Sequence, residues 1–242
     1  SSLPPFVEKG NGKCPNWILP IDNFEMGFEI ECNDDNNVFG GVIGSYHSRG
    51  EDIVPVEFLP SFNGKKWKVE YDGSLGCDGV EIISPILKGS EGISNMVESL
   101  EILRRKGFSV NSRCGLHYHF GLKSICRNSK VDDVVSFLSR LNQSVLNYQG
   151  CLFGSQGSRR DRNSYCPPLS PSESLINYSM EVMEKGKGNK SFSDFRNLYG
   201  SSRKYRILNI SKLSGGIDGE NSSIEFRYPS GSLSEKKFLL NL

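Results

Sequence analysis

The chain reads as an α+β protein with a mainly antiparallel sheet. Two observations predict this: three short segments alternate apolar with ionisable residues, and apolar residues recur at helical spacing in stretches between them. Phe24, Met26, Phe28 and Ile30 interleave with Glu25, Glu29 and Glu31. Leu116, Tyr118, Phe120 and Leu122 interleave with His117, His119 and Gly121, and Ile224, Phe226 and Tyr228 with Glu225 and Arg227. Strand side chains point to opposite faces in turn, so each segment sends one set to a core and the other to the opposite face. Strands mixed with long helices, without regular strand-helix-strand units, argue for α+β over a parallel α/β sheet.

In chain order, residues 1–23 are expected to form a flexible arm and 24–242 a single domain. A strand is expected over 24–32. Asn33, Asp34, Asp35, Asn36, Asn37 and the glycine-rich stretch to Gly50 read as a loop. Residues 67–72 and 79–84 read as strands joined by Gly73, Ser74, Leu75 and Gly76. Ile93, Val97, Leu100 and Leu103 repeat at helical spacing, with Gly107 placed to end the helix. After the histidine strand, Val131, Val134, Val135, Leu138, Leu141, Val145 and Leu146 mark a second helix, with Gly150 its expected stop. Residues 158–168, with Arg159, Arg160 and Arg162, read either as a solvated loop or as a mobile anion-binding lid. Residues 204–210 resemble a strand with less regular alternation. Ser234 can cap a final helix that starts near the end of the sequence, and the chain is expected to continue past Leu242.

Hydrophobic content of 36%, charged content of 24% and a formal net charge of +1 describe a soluble globular protein with no basic excess that calls for nucleic acid. There is no apolar run near the roughly 20 residues of a membrane-spanning helix. The seven cysteines are scattered without a Cys-Xaa-Xaa-Cys pair, which argues against a zinc ribbon or a thioredoxin-type site. An odd count without a signal peptide favours reduced thiols and a cytoplasmic location. Gly40-Gly41 and Gly215-Gly216 lack the spacing of a phosphate-binding or dinucleotide-binding loop.

A solvated polar face is ordinary for an antiparallel sheet. Histidine usage argues for more, because two of the three histidines, His117 and His119, share one face of one strand. Several glutamates facing one another repel and raise each other's pKa unless cations stand between them. Carboxylate oxygens with an imidazole suit Mg²⁺ or Mn²⁺, whereas thiolates would have pointed to zinc.

Read in order, the motifs resemble the amidoligase family of the glutamine synthetase-like carboxylate–amine ligases. The matching pieces are Gly27-Phe28-Glu29-Ile30-Glu31, Asp72-Gly73-Ser74 with Gly79-Val80-Glu81-Ile82-Ile83-Ser84-Pro85, and Cys114-Gly115-Leu116-His117-Tyr118-His119. Arg162 with Tyr165-Cys166, Lys204-Tyr205 with Asn209, and Ile224-Glu225-Phe226-Arg227 complete the series. The resemblance implies a curved sheet, helices on its outer face, and a concave face that holds Mg²⁺ ions and ATP. It puts Glu29, Glu31, Glu81, His117 and Glu225 at metal-ligand positions. Arg227, Arg162 and Arg203 fall to the catalytic charge-stabilising roles, and Asp72, His119, Lys204 and Asn209 to nucleotide or substrate binding. The implied partners are a carboxylate and an amine, from an amino acid, a peptide or a protein side chain. The chemistry agrees: a carboxylate is a poor acylating agent and needs conversion to an acyl phosphate before an amine can displace it. Two alternatives stay open, a metal-dependent hydrolase using the same carboxylates and a catalytically inactive binding protein on the same fold.

Overall fold

Alternation around Phe28 becomes strand β1 (Glu25–Asn33), in which Met26, Phe28, Ile30 and Cys32 are all buried. In the computed structural model, residues 24–45, 47, 49–125, 131–156, 164, 166–169, 206–215 and 222–242 are described. After β1 come β2 (Val54–Pro55), β3 (Lys68–Tyr71), β4 (Gly79–Ile83), β5 (Leu87–Lys88) and helix α1 (Gly89–Arg105). Then follow β6 (Leu116–Gly121), α2 (Leu122–Ile125), α3 (Val131–Ser155), β7 (Leu208–Asn209), β8 (Ser223–Phe226) and a last helix, α4 (Glu235–Asn241). The fold is α+β with a mostly antiparallel sheet. Its residues group into two compact units.

The first unit comprises, of the described residues, 24–27, 31–111 and 232–242. Its strands run in the order β2-β3-β4-β1, and β5 pairs antiparallel with the start of β1 through Met26 and Leu87. In the β3–β4 hairpin Val69 stands opposite Ile82 and Glu70 opposite Glu81, so one face carries the aliphatic pair and the other two carboxylates. Trp67, fully buried, donates its indole N–H to Asn95 Oδ1 at 3.1 Å, and the Asn95 amide donates to the Pro60 and Ser61 carbonyls at 3.2 Å. This network fixes α1 in place with every buried polar atom it uses satisfied. Helix α1 buries Ile93, Val97, Leu100 and Leu103, the expected set, and Met96 with them. Gly107 follows its end with φ +88°, a left-handed conformation that only glycine adopts without strain. Ser234 caps α4 by accepting from the Lys237 N–H, as its position in the sequence predicts.

The second unit comprises Phe28–Ile30 and the described residues between 112 and 231. Here the strand order is β1-β6-β8-β7. In the antiparallel β6–β8 pair Tyr118 stands opposite Phe226 and His119 opposite Glu225, and in β7–β8 Asn209 stands opposite the same Glu225. One face is aromatic. Phe28 meets Tyr118 edge-on at 5.3 Å between centroids, and Phe120 meets Phe226 in the same way at 5.9 Å. Helix α3 adds Val134, Val135, Leu138, Val145 and Phe153 to a core with Leu208, Ile210 and Ile224. The helix does not stop at Gly150. It runs to Ser155, because a helical glycine costs only about 1 kcal/mol and burial of Phe153 in the following turn offsets that.

The strand expected over 204–210 is represented by the short β7, and β2, β5 and α2 carry no sequence signal that predicts them. The proposed lid over 158–168 lies mostly outside the described residues, as does the arm over 1–23.

Candidate metal centre

The polar face of the second unit is assembled by register. Because Glu225 stands opposite His119 on one side and Asn209 on the other, β8 carries its carboxylate between β6 and β7. His117 lies two residues before His119 and so shares its face, and Glu29 arrives from β1, the other neighbour of β6. Opposite these residues, Tyr118, Phe226 and Ile224 are drawn into the apolar core. The aromatic face therefore fixes which way the ionisable set must point.

Glu29, His117 and Glu225 each offer a ligand atom, and these atoms lie within 4.8 Å of one another. His117 Nδ1 is 3.1 Å from Glu29 Oε2 and 3.6 Å from Glu225 Oε1. His119 Nε2 is 3.0 Å from Glu29 Oε1, and the Lys212 ammonium reaches the same oxygen at 3.4 Å. The Arg227 guanidinium pairs with Glu225 Oε1, while the Asn209 amide donates to Glu225 Oε2 at 2.5 Å. His117 is fully buried, and the Glu225 side chain is 3% exposed. The other ring nitrogen of His119, Nδ1, is buried with no hydrogen-bond partner among the described residues.

Burial by itself would push the Glu29 carboxyl up. The charge of His119, hydrogen bonds from His117 and His119, and Lys212 outweigh it and hold Glu29 well below the usual carboxylate range. Glu225 obeys the same balance. Burial raises it and His119 and Arg227 lower it, Glu29 opposes them, His117 assists, and the result lies below the ordinary value. Both carboxylates are therefore ionised at neutral pH. Tyr228, by contrast, is raised by burial alone.

The remaining expected residues fall as follows. In the first unit Glu31 and Glu81, on β1 and β4, are both buried and bring carboxylate oxygens within 4.8 Å of each other. Asp72, also there, uses Oδ1 to accept the Ser74 N–H at 2.8 Å, which ties it to the turn between β3 and β4. Arg162, Arg203 and Lys204 lie outside the described residues.

Two charged residues were not anticipated. Glu70 is fully buried opposite Glu81 and accepts from the His47 N–H at 2.7 Å and from the Lys68 ammonium. Its alternation with Val69 was a usable signal. Lys212 sits in a 3₁₀ turn (Ser211–Gly215) just after β7, and no periodicity marks it.

Among the described residues, Cys32, Cys77, Cys114, Cys151 and Cys166 form no disulfide with one another. Among the described residues, no helix is long and apolar enough to cross a membrane. No curated protein and no solved structure matches the chain. The family described as "Putative amidoligase enzyme" matches residues 23–242, an interval that contains every residue of the centre described above, and the chain belongs to this amidoligase family.

Proposed function

We propose that this amidoligase joins a carboxylate to an amine, as an amide or isopeptide, at the expense of ATP and with Mg²⁺ or Mn²⁺ held by Glu29, His117 and Glu225. The observation that carries this reading is the convergence of those three donors within 4.8 Å on one buried polar face. Two ionised carboxylates and one imidazole form the oxygen-rich set that a hard dication takes. The buried Nδ1 of His119 beside them, without a hydrogen-bond partner among the described residues, fits a site that receives a further polar group. When bound, such a cation would neutralise charge on the oxygens of a transferring phosphoryl group.

The substrate carboxylate attacks the γ-phosphorus of ATP, giving an acyl phosphate and ADP, and the amine then displaces inorganic phosphate. Within this scheme the chain's own residues have separable tasks. Glu29 and Glu225 need lose no proton at neutral pH, since His119, His117 and the neighbouring cations already keep them ionised. Arg227 presents a planar fork that can grip two phosphoryl oxygens while staying beside Glu225. Asn209 spends its amide on Glu225 and its carbonyl on the Ser211 N–H, which favours a positioning role over substrate contact. Burial of the centre keeps water from an acyl phosphate that it would hydrolyse. The proposal extends to Glu31 and Glu81 as further cation ligands and to Arg162, Arg203 and Lys204 as grips on phosphate or substrate carboxylate.

The test supplies ATP, Mg²⁺ and pools of carboxylates and amines, and follows ADP. Release that depends on the amine supports the ligase. Amide hydrolysis without nucleotide replaces it with the hydrolase, and neither activity indicates a binding protein.

A further inference from the structure

Every carboxylate oxygen in the centre already has a cationic, imidazole or amide neighbour. Glu29 Oε1 faces His119 and Lys212, and Glu29 Oε2 faces His117. Glu225 Oε1 faces Arg227, and Oε2 faces Asn209. Among the described residues, the two carboxylates thus face the side-chain cations of Arg227 and Lys212 besides the two imidazoles. A divalent cation entering between Glu29 and Glu225 would compete with these two cations for the same carboxylate oxygens.

The two cations differ in what holds them. The Arg227 side chain is 13% exposed, whereas that of Lys212 is 46% exposed and reaches its oxygen on a long flexible stem. An ammonium half in water loses little on release, since exposed ion pairs are weak and the freed charge is at once solvated. The backbone that carries Lys212 is nevertheless fixed to the site. Asn209, which holds Glu225, also accepts the Ser211 N–H at 2.9 Å, and the fully buried Leu213 anchors the turn with its N–H on Ile210 O at 3.1 Å. The lysine is therefore delivered to Glu29 by the same residue that orients the second carboxylate.

We propose that Lys212 is a built-in counter-ion: in the metal-free protein its ammonium neutralises Glu29, and a divalent cation binding at Glu29, His117 and Glu225 displaces it outward. This rests on the proposed cation site and adds a residue that sets how tightly that site loads. Lys212 competes for a ligand oxygen, so it weakens cation binding. Its removal strengthens it.

The experiment measures Mn²⁺ affinity calorimetrically for the wild-type protein and for Lys212→Met, which keeps the apolar stem and removes the charge. The variant is expected to bind Mn²⁺ about 1.5- to fivefold more tightly, the range that loss of one partly exposed competing charge allows. Equal or weaker binding overturns the proposal. A second measurement needs no variant: an amine-acylating reagent is applied to the wild-type protein with and without Mn²⁺, and modification of Lys212 is read by mass spectrometry. Increased labelling in Mn²⁺ is expected, and unchanged or decreased labelling overturns the counter-ion role. If the wild-type protein binds no Mn²⁺ at all, it is the cation site that fails. Binding with no difference between the two proteins sinks Lys212 alone.

Discussion

Replacing Arg227 by Met and Glu225 by Gln should change metal-dependent stability in opposite directions. Arg227 and Glu225 are paired with side chains only 13% and 3% exposed, so either change leaves a largely buried charge without its main partner. Breaking such a pair costs about 3 kcal/mol. For a chain of this length that lowers the melting temperature by roughly 6–12 °C. Asn209 and His117 still face Glu225 in Arg227→Met, which favours the lower end for that variant. With Mn²⁺ at ~100 times the wild-type dissociation constant, the wild-type protein gains about 2.7 kcal/mol. Arg227→Met should recover more than the wild-type protein gains, because the cation replaces the missing charge on Glu225. Glu225→Gln loses a ligand and should recover close to nothing. Thermal unfolding in chelator and in Mn²⁺ reads both effects. Identical Mn²⁺-induced shifts in all three proteins would refute the assignment of Glu225 as a ligand and Arg227 as its apo-state partner.

Two other predictions follow from the same geometry. Glu29 and Glu225 have folded-state pKa values below the ordinary 4.5, so their contribution to stability is present above that value and lost as pH falls through the lowered folded-state values. Denaturant unfolding of the metal-free protein should show stability falling as the pH is lowered below 4.5, and a profile that stays flat there would contradict these shifts. Two glycine-to-alanine changes in the second unit should have opposite signs. Gly150, inside α3 with open space around it, should give a gain of about 0.5–1 kcal/mol. At Gly231 a new Cβ would lie 2.5 Å from Cys114 Cβ, so a loss of about 1–3 kcal/mol is expected. Thermal melts of the pair check this, and two shifts of the same sign would count against the packing.

The parts of this protein legible in its sequence were those governed by strict alternation. Phe28, Tyr118 and Phe226 had to share one face, so the opposite positions, Glu29, His117, His119 and Glu225, were bound to meet once β1, β6 and β8 became neighbours. Helix α1 was readable for the same reason, with a 3.6-residue period and a glycine at its end. What periodicity could not show were contacts made by single residues in irregular segments. Lys212 reaches Glu29 from a 3₁₀ turn across 183 residues of sequence, and only the folded chain reveals it. The end of α3 escaped for a different reason: Gly150 looks like a stop locally, but burial of Phe153 in the next turn outweighs its propensity.

We propose that this amidoligase activates a carboxylate as an acyl phosphate before the amine attacks. The most direct measurement uses an accepted carboxylate labelled with ¹⁸O, together with ATP, Mg²⁺ and the amine, and reads the isotope in inorganic phosphate by mass spectrometry. Activation through an acyl phosphate leaves one ¹⁸O in each phosphate released, in step with one amide formed and one ADP. Amide formed with unlabelled phosphate would contradict it.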